Sequence, residues 1–188
     1  MIIGGEYRKD AETKFAHVIV AGEGAAGNNA QAVATQAVLL TAIGNSGSVK
    51  FSEITNGLIG KAVNNLVSAS AFQAVHSDSG LAGVYLVSDA NQINSCVNAV
   101  VGALKTFKIG SIDEIKRQTF NNALRAKAHS DKFSLERTAE LFNSQDSFID
   151  KIMNVSANDV ETAAKKLTNK LSVASYGNVN EVPYVETL

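Results

Sequence analysis

The sequence predicts an α+β fold: a mixed, largely antiparallel sheet with helices packed on one face, in a single domain over residues 1–188. Three observations carry this. The β-rich runs come in neighbouring pairs bounded by glycine and Asx turns, the pattern of hairpins rather than of alternating βα units. Apolar residues at helical 3/4 spacing cluster after the hairpins. Charge divides the same way: residues 1–104 carry 5 Lys/Arg and 7 Asp/Glu, whereas residues 105–188 carry 12 and 11.

Residues 5–9 are short and mixed, with Tyr7 the one large apolar side chain, and read as an edge strand. Residues 15–21, Phe-Ala-His-Val-Ile-Val-Ala, are nearly continuous in apolar character, as a buried strand should be. Residues 22–27 form a glycine turn, after which Asn28 or Asn29 caps a helix with Ala30, Val33, Ala34, Ala37 and Val38 on its inner face. Residues 44–48 read as a loop, and residues 53–63 as a short helix weakened by Gly57 and Gly60. Two strands follow, 67–75 and 81–87, joined by the turn His76-Ser77-Asp78-Ser79-Gly80.

The clearest helix carries Ile93, Cys96, Val97, Val100, Val101 and Leu104 in one stripe, with Asp89 or Asn91 as its cap. Ser111 and Glu114 form a capping-box pattern opening a helix to about residue 128, with Ile112, Ile115, Phe120 and Leu124 inward. Residues 134–142 read as a shorter helix. Ser156 and Asp159 suggest another capping box, followed by Val160, Ala163, Ala164 and Leu167. Residues 171–176 read as the last strand, ended by Gly177-Asn178.

Composition narrows the function. With 45% hydrophobic and 19% charged residues the chain can bury a core and has no signature of disorder. A net charge of −1 argues against a nucleic-acid partner. One cysteine, Cys96, makes neither an internal disulfide nor a cysteine-rich zinc site. No apolar run approaches the roughly 18 residues of a membrane span, and Met1 to Glu6 lacks the succession of a targeting peptide.

Local motifs have plainer roles beside the chemical ones. Gly22-Glu23-Gly24-Ala25-Ala26-Gly27 fits the dinucleotide-loop spacing. However, Glu23 sits where a phosphate would lie, and residues 43–48 lack the acidic residue expected downstream, so a structural turn is the better reading. His76, Ser77 and Asp78 hold the letters of a hydrolase triad, but adjacency favours hairpin chemistry, with Asp78 and Ser79 satisfying turn amides and Gly80 supplying positive φ. His17, His76 and His129 lie on different elements, without metal-ligand spacing. Cys96 reads as a small buried hydrophobe. Asn154-Val155-Ser156 is a sequon whose serine is better used as a helix cap, and Lys165-Lys166 with Lys170 reads as a solvated helix face. The sequence therefore offers no catalytic, cofactor-binding or metal-binding residue.

Segment order carries more than any motif. The chain opens Gly4-Gly5-Glu6-Tyr7-Arg8 and continues through His17-Val18-Ile19-Val20-Ala21-Gly22-Glu23-Gly24 and a Gly/Asn helix start. Ser77-Asp78-Ser79-Gly80-Leu81-Ala82-Gly83-Val84-Tyr85, Ala174-Ser175-Tyr176-Gly177-Asn178 and Pro183-Tyr184 complete the series. In this order the chain resembles the C-terminal half of the respiratory-complex core subunits within the mitochondrial processing peptidase and pitrilysin family. The resemblance implies a processing-peptidase-like α+β domain, half of a longer two-domain protein. It implies a non-catalytic scaffold without cofactor, peripheral on the matrix side of the mitochondrial inner membrane. Its partners would be core protein 1, other subunits of complex III and the missing N-terminal half of its own chain. Active members hold zinc through an inverted His-x-x-Glu-His motif in their N-terminal half, and that motif is absent here. The competing expectation is the substrate-binding, non-catalytic half of a zinc metallopeptidase.

Overall fold

Sheet order in the computed structural model is β1-β5-β2-β4-β3. Residues 4–44, 57–63, 68–128 and 148–188 are described. The strands are β1 (Glu6–Asp10), β2 (Phe15–Glu23), β3 (Ser68–Val75), β4 (Gly80–Asp89) and β5 (Ser172–Gly177). The helices are α1 (Ala30–Ile43), α2 (Leu58–Ala62), α3 (Ala90–Lys105), α4 (Ile112–Ala128), α5 (Phe148–Met153) and α6 (Ala157–Asn169). A 3-10 turn, Val185–Thr187, lies near the C-terminus. Every pairing is antiparallel except β1 with β5, which makes the sheet mixed as predicted.

Alternation along the strands sets the core. Ala16, Val18 and Val20 of β2, Ala82, Val84 and Leu86 of β4, and Val173 of β5 are buried on one face. Helices α1, α3 and α6 pack against the sheet, and α4 and α5 pack on α1 as an outer layer. All six residues of the stripe predicted for α3 are buried. Val160, Ala164 and Leu167 of α6 are buried too, and Ala163 packs against them. The central strand β2 extends through Gly22 and Glu23, so the turn begins only at Gly24. Gly22 is needed where α6 crosses β2, because a Cβ there would overlap the Leu167 carbonyl oxygen.

Cap chemistry follows the sequence in two places. Asn29 accepts from the Ala32 amide at 3.0 Å, resolving the choice between Asn28 and Asn29. At α6, Asp159 N–H donates to Ser156 Oγ at 3.2 Å while Ser156 N–H donates to the Asp159 carboxylate at 3.1 Å. Two other expectations differ. Asp89 stands at the cap position of α3 but makes no capping bond, its carboxylate lying 3.6 Å from Lys14 Nζ. Glu114 accepts from Gln118 at 3.4 Å, one turn further along α4.

Helix α5 was not foreseen. Six residues give too short a stripe to register, yet Phe148 and Ile152 reach the core. The C-terminal strap after β5 also escaped notice: Val179 and Val182 are buried. It is fastened to β1, where Glu6 accepts from the Val185 amide at 3.0 Å and Arg8 donates to the Val179 carbonyl at 3.3 Å. The expected loop beyond Gly44, residues 53–56 and the helix over 134–142 lie outside the described residues.

Candidate interaction surface

The other face of the same sheet has no helix over it among the described residues. Strand register lines up Tyr7, Ala174, Ile19, Tyr85 and Ser70 across all five strands. The next row is Lys9, Tyr176, His17, Val87 and Ser68. Tyr7 is 62% exposed, Tyr176 47%, Phe15 46% and Tyr85 38%, an unusual concentration of exposed aromatics on one face. A depression of about 360 Å³ lies between Tyr7, Ile19, Ala21, Leu81 and Ala174. At the centre, His17 Nδ1 lies 2.6 Å from the Tyr85 hydroxyl, and the two rings stack with centroids 6.1 Å apart. Tyr176 tilts against His17 at 6.2 Å and carries Lys9 Nζ 5.9 Å from its centroid. This arrangement presents a broad apolar surface with hydroxyl and ammonium tips, the composition that protein interfaces favour.

Sequence reading took β2 as buried on both faces. His17 and Ile19 are instead only half-buried, and no helix among the described residues covers them. The signal was available in part: Tyr7, His17, Ile19, Tyr85 and Tyr176 sit at alternating strand positions, but finding the face needs the strand order. His17 is thus a surface element rather than an ordinary structural histidine.

The two motif candidates meet and satisfy each other. Gly27 N–H donates to the His76 carbonyl at 2.7 Å and Asn28 N–H to the Ser77 carbonyl at 2.9 Å. Gly24 N–H donates to Gly80 O at 2.9 Å, Asn29 N–H to Ala26 O at 3.1 Å, and Ala25 N–H to the Gln36 side chain. Gln36 is 4% exposed and passes its own amide on to Gln73 at 2.8 Å. These loop amides, which a nucleotide site would aim at phosphate, are already taken. Glu23 completes the argument by pairing with Lys166 at 2.7 Å across the mouth of an adjoining cavity of about 530 Å³. Lys166 stays 56% exposed in this pairing, and Lys165, Lys166 and Lys170 form the solvated helix face expected.

The segment with the triad letters forms the turn between β3 and β4. Ser79 Oγ donates to Asp78 at 3.2 Å, and the turn closes through His76 N–H to Ser79 O at 2.9 Å. Gly80 does not adopt positive φ, contrary to expectation. It is required because a Cβ would overlap the Ala25 carbonyl of the glycine loop. Cys96 is buried on α3, as read. Ser156 Oγ is engaged in its cap, donating to Asp159 at 2.7 Å. His129 lies outside the described residues. Among the described residues, no group of three or more His, Cys, Asp and Glu side chains could hold a metal, and no helix is long and apolar enough to cross a membrane.

With this geometry in place, known proteins agree with the segment order. No family model matches the chain. Cytochrome b-c1 complex subunit 2 of mouse mitochondria is 29% identical over 200 residues, covering 98% of this chain and 44% of that protein. The chain is similar to core protein 2 of complex III. The human protein of the same description gives the same identity and coverage. Mitochondrial-processing peptidase subunit alpha-2 of Dictyostelium discoideum is 25% identical over 201 residues, with 99% of this chain and 44% of that one covered. The chain therefore spans less than half the length of the curated relatives it matches.

Among solved structures, complex III2 of Candida albicans superposes with a TM-score of 0.79 at 18% identity, covering 98% of this chain and 48% of the matched one. An inactive domain of an M16 peptidase from Pseudomonas fluorescens superposes at 0.70 and 13% identity, covering 94% and 44%. The fold is that of the matched complex III2 chain and of the inactive M16 peptidase domain, as the resemblance implied.

Proposed function

We propose that this chain is a non-catalytic structural domain of a core subunit of mitochondrial ubiquinol–cytochrome c reductase. In this reading residues 1–188 are one domain, the C-terminal half of a two-domain core protein 2. It sits peripherally on the matrix side of the inner membrane and supports assembly through protein–protein contacts. Its partners are core protein 1, other complex III subunits and the remainder of its own polypeptide. It uses no catalytic residue, metal or cofactor.

The observation that carries the proposal is the 29% identity to mouse subunit 2, sustained through 98% of the chain. The open aromatic sheet face supports it, since a scaffold domain needs a surface that gains by being covered. Antibody to the chain should co-isolate cytochrome b and core protein 1 from gently solubilised mitochondrial membranes. A complex lacking both would overturn the proposal.

The similarity to processing-peptidase subunit alpha-2 favours a second reading. Here the domain is the substrate-binding, non-catalytic half of a zinc metallopeptidase. Co-isolation of a zinc-binding partner subunit with presequence-cleaving activity, in place of cytochrome b, would decide for it.

A further inference from the structure

We propose that Tyr85 is the preferred site of one-electron oxidation and nitration in this chain, with His17 as the base that takes its proton. The sequence has four tyrosines, and their surroundings differ in the respect that matters. Removing an electron from a phenol is far easier when its proton leaves at the same time to a positioned base. Tyr85 has such a base, with His17 Nδ1 2.6 Å from its hydroxyl. In the tautomer that carries its proton on Nε2, the phenol donates and Nδ1 accepts.

Among the described residues, the other three have no such base. Tyr184 lies under the Arg8 guanidinium at 3.9 Å, and Tyr176 has Lys9 Nζ at 5.9 Å. A cation over the ring is attracted to its π electrons and opposes their loss. Tyr7, the most exposed at 62%, has no hydrogen-bonded base among the described residues. The inference rests on the His17–Tyr85 pair alone, and not on what covers the sheet face.

With nitrogen dioxide as oxidant the step balances. One electron passes from the Tyr85 ring to nitrogen dioxide, giving nitrite. The O–H bond breaks, its proton moves to His17 Nδ1, and a neutral tyrosyl radical remains beside an imidazolium. A second nitrogen dioxide joins the ring carbon next to the phenolic carbon, the hydrogen on that carbon moves as a proton to the phenolic oxygen, and 3-nitrotyrosine results. The imidazolium then returns its proton to water.

The test exposes the full 188-residue chain to radiolytically generated nitrogen dioxide and maps nitrotyrosine by mass spectrometry at low conversion. On exposure alone Tyr7 and Tyr184, at 62% and 61%, should lead, and Tyr85, at 38%, should come last. The proposal expects Tyr85 first. His17→Gln keeps an acceptor but removes the base, and should slow Tyr85 nitration about 10²-fold, the low end for a positioned base. Circular dichroism checks that this variant is folded. A deuterium-oxide slowing at Tyr85 in the unaltered chain gives the same information without substitution. Nitration in the order of exposure, no isotope effect at Tyr85, or an unchanged rate in folded His17→Gln would each overturn the proposal.

Discussion

The two faces of this sheet are built from the same strands and meet opposite fates. On β2, Ala16, Val18 and Val20 are at most 1% exposed beneath α3 and α6, while Phe15 on the other side is 46% exposed. On β4, Val84 and Leu86 are fully buried, and Tyr85 between them is 38% exposed. The chemistry divides with the exposure. The covered face is aliphatic and small, so that helices pack closely on it. The open face is aromatic, with hydroxyl, imidazole and ammonium tips that tolerate water. Burial of apolar surface contributes about 25 cal/mol per Å² wherever it occurs. On one face that gain is realised within the chain, and on the other it is not realised among the described residues.

The largest expected effect tests whether stability resides on the covered face. Leu86→Ala should destabilise the chain by about 2–5 kcal/mol, through lost transfer energy and the cavity it leaves. Tyr176→Ser on the open face should change stability by no more than about 0.5 kcal/mol. Urea unfolding of both variants measures this. Comparable losses would mean that the open face is part of the cooperative core.

The seam between β2 and α6 gives the next effect. Gly22→Ala places a methyl group against the Leu167 carbonyl, and the overpacking should cost about 1–3 kcal/mol. Gly102 provides the contrast, since a Cβ on this exposed α3 residue meets nothing within 4 Å. Gly102→Ala should therefore stabilise the chain by about 0.8–1 kcal/mol through helix propensity. Thermal unfolding should move in opposite directions for the two substitutions. A shift in the same direction would refute the close approach of α6 to β2.

The covered face was legible because its signals are local. The stripe from Ile93 to Leu104 repeats every three or four residues, and Ser156 with Asp159 caps α6 from three residues apart. What escaped depends on distant pairing. Nothing near Glu6 announces that it pairs in parallel with Val173, or that Val185 returns to its carboxylate. The open face was misread for the same reason. His17 and Ile19 look identical in sequence whether a helix covers them or not, and only the strand order brings Tyr7, Tyr85 and Tyr176 together. Gly80 shows the limit for turns: its identity was noted, but the cause is an approach by Ala25 from a segment 55 residues earlier.

Association should depend on the open face and be indifferent to the rest. Paired Phe15→Ser and Ile19→Ser substitutions remove apolar area from its centre while leaving the helix side intact. Truncating a buried anchor of an interface costs more than about 1 kcal/mol, about fivefold in affinity. Recovery of cytochrome b and core protein 1 with the tagged chain should fall by about that factor, with the unfolding midpoint unchanged. Undiminished recovery would move the contact surface elsewhere on the molecule.

The smallest effect is acid sensitivity, and it belongs to the covered side, where two carboxylates fasten the ends of elements. Glu6 is held below the usual carboxylate range first by the Val185 amide and then by Arg8. Asp159 is lowered by the hydroxyl and amide of Ser156. A group whose native pKa is depressed stabilises the fold while ionised. Its contribution is complete above the unfolded values of about 4 and is lost as pH falls through the lower native ones. From pH 7 to 5 neither group should alter stability, and below about 4 the unfolding midpoint should decline. Ser156→Ala should cost about 1 kcal/mol at neutral pH, as lost caps do, and should flatten part of that decline. Glu6→Gln should flatten another part and, through the freed Val185 amide, loosen the C-terminal strap. Hydrogen exchange at Val185 is the direct measure, because the open face lacks this tie and its exchange should not change with Glu6.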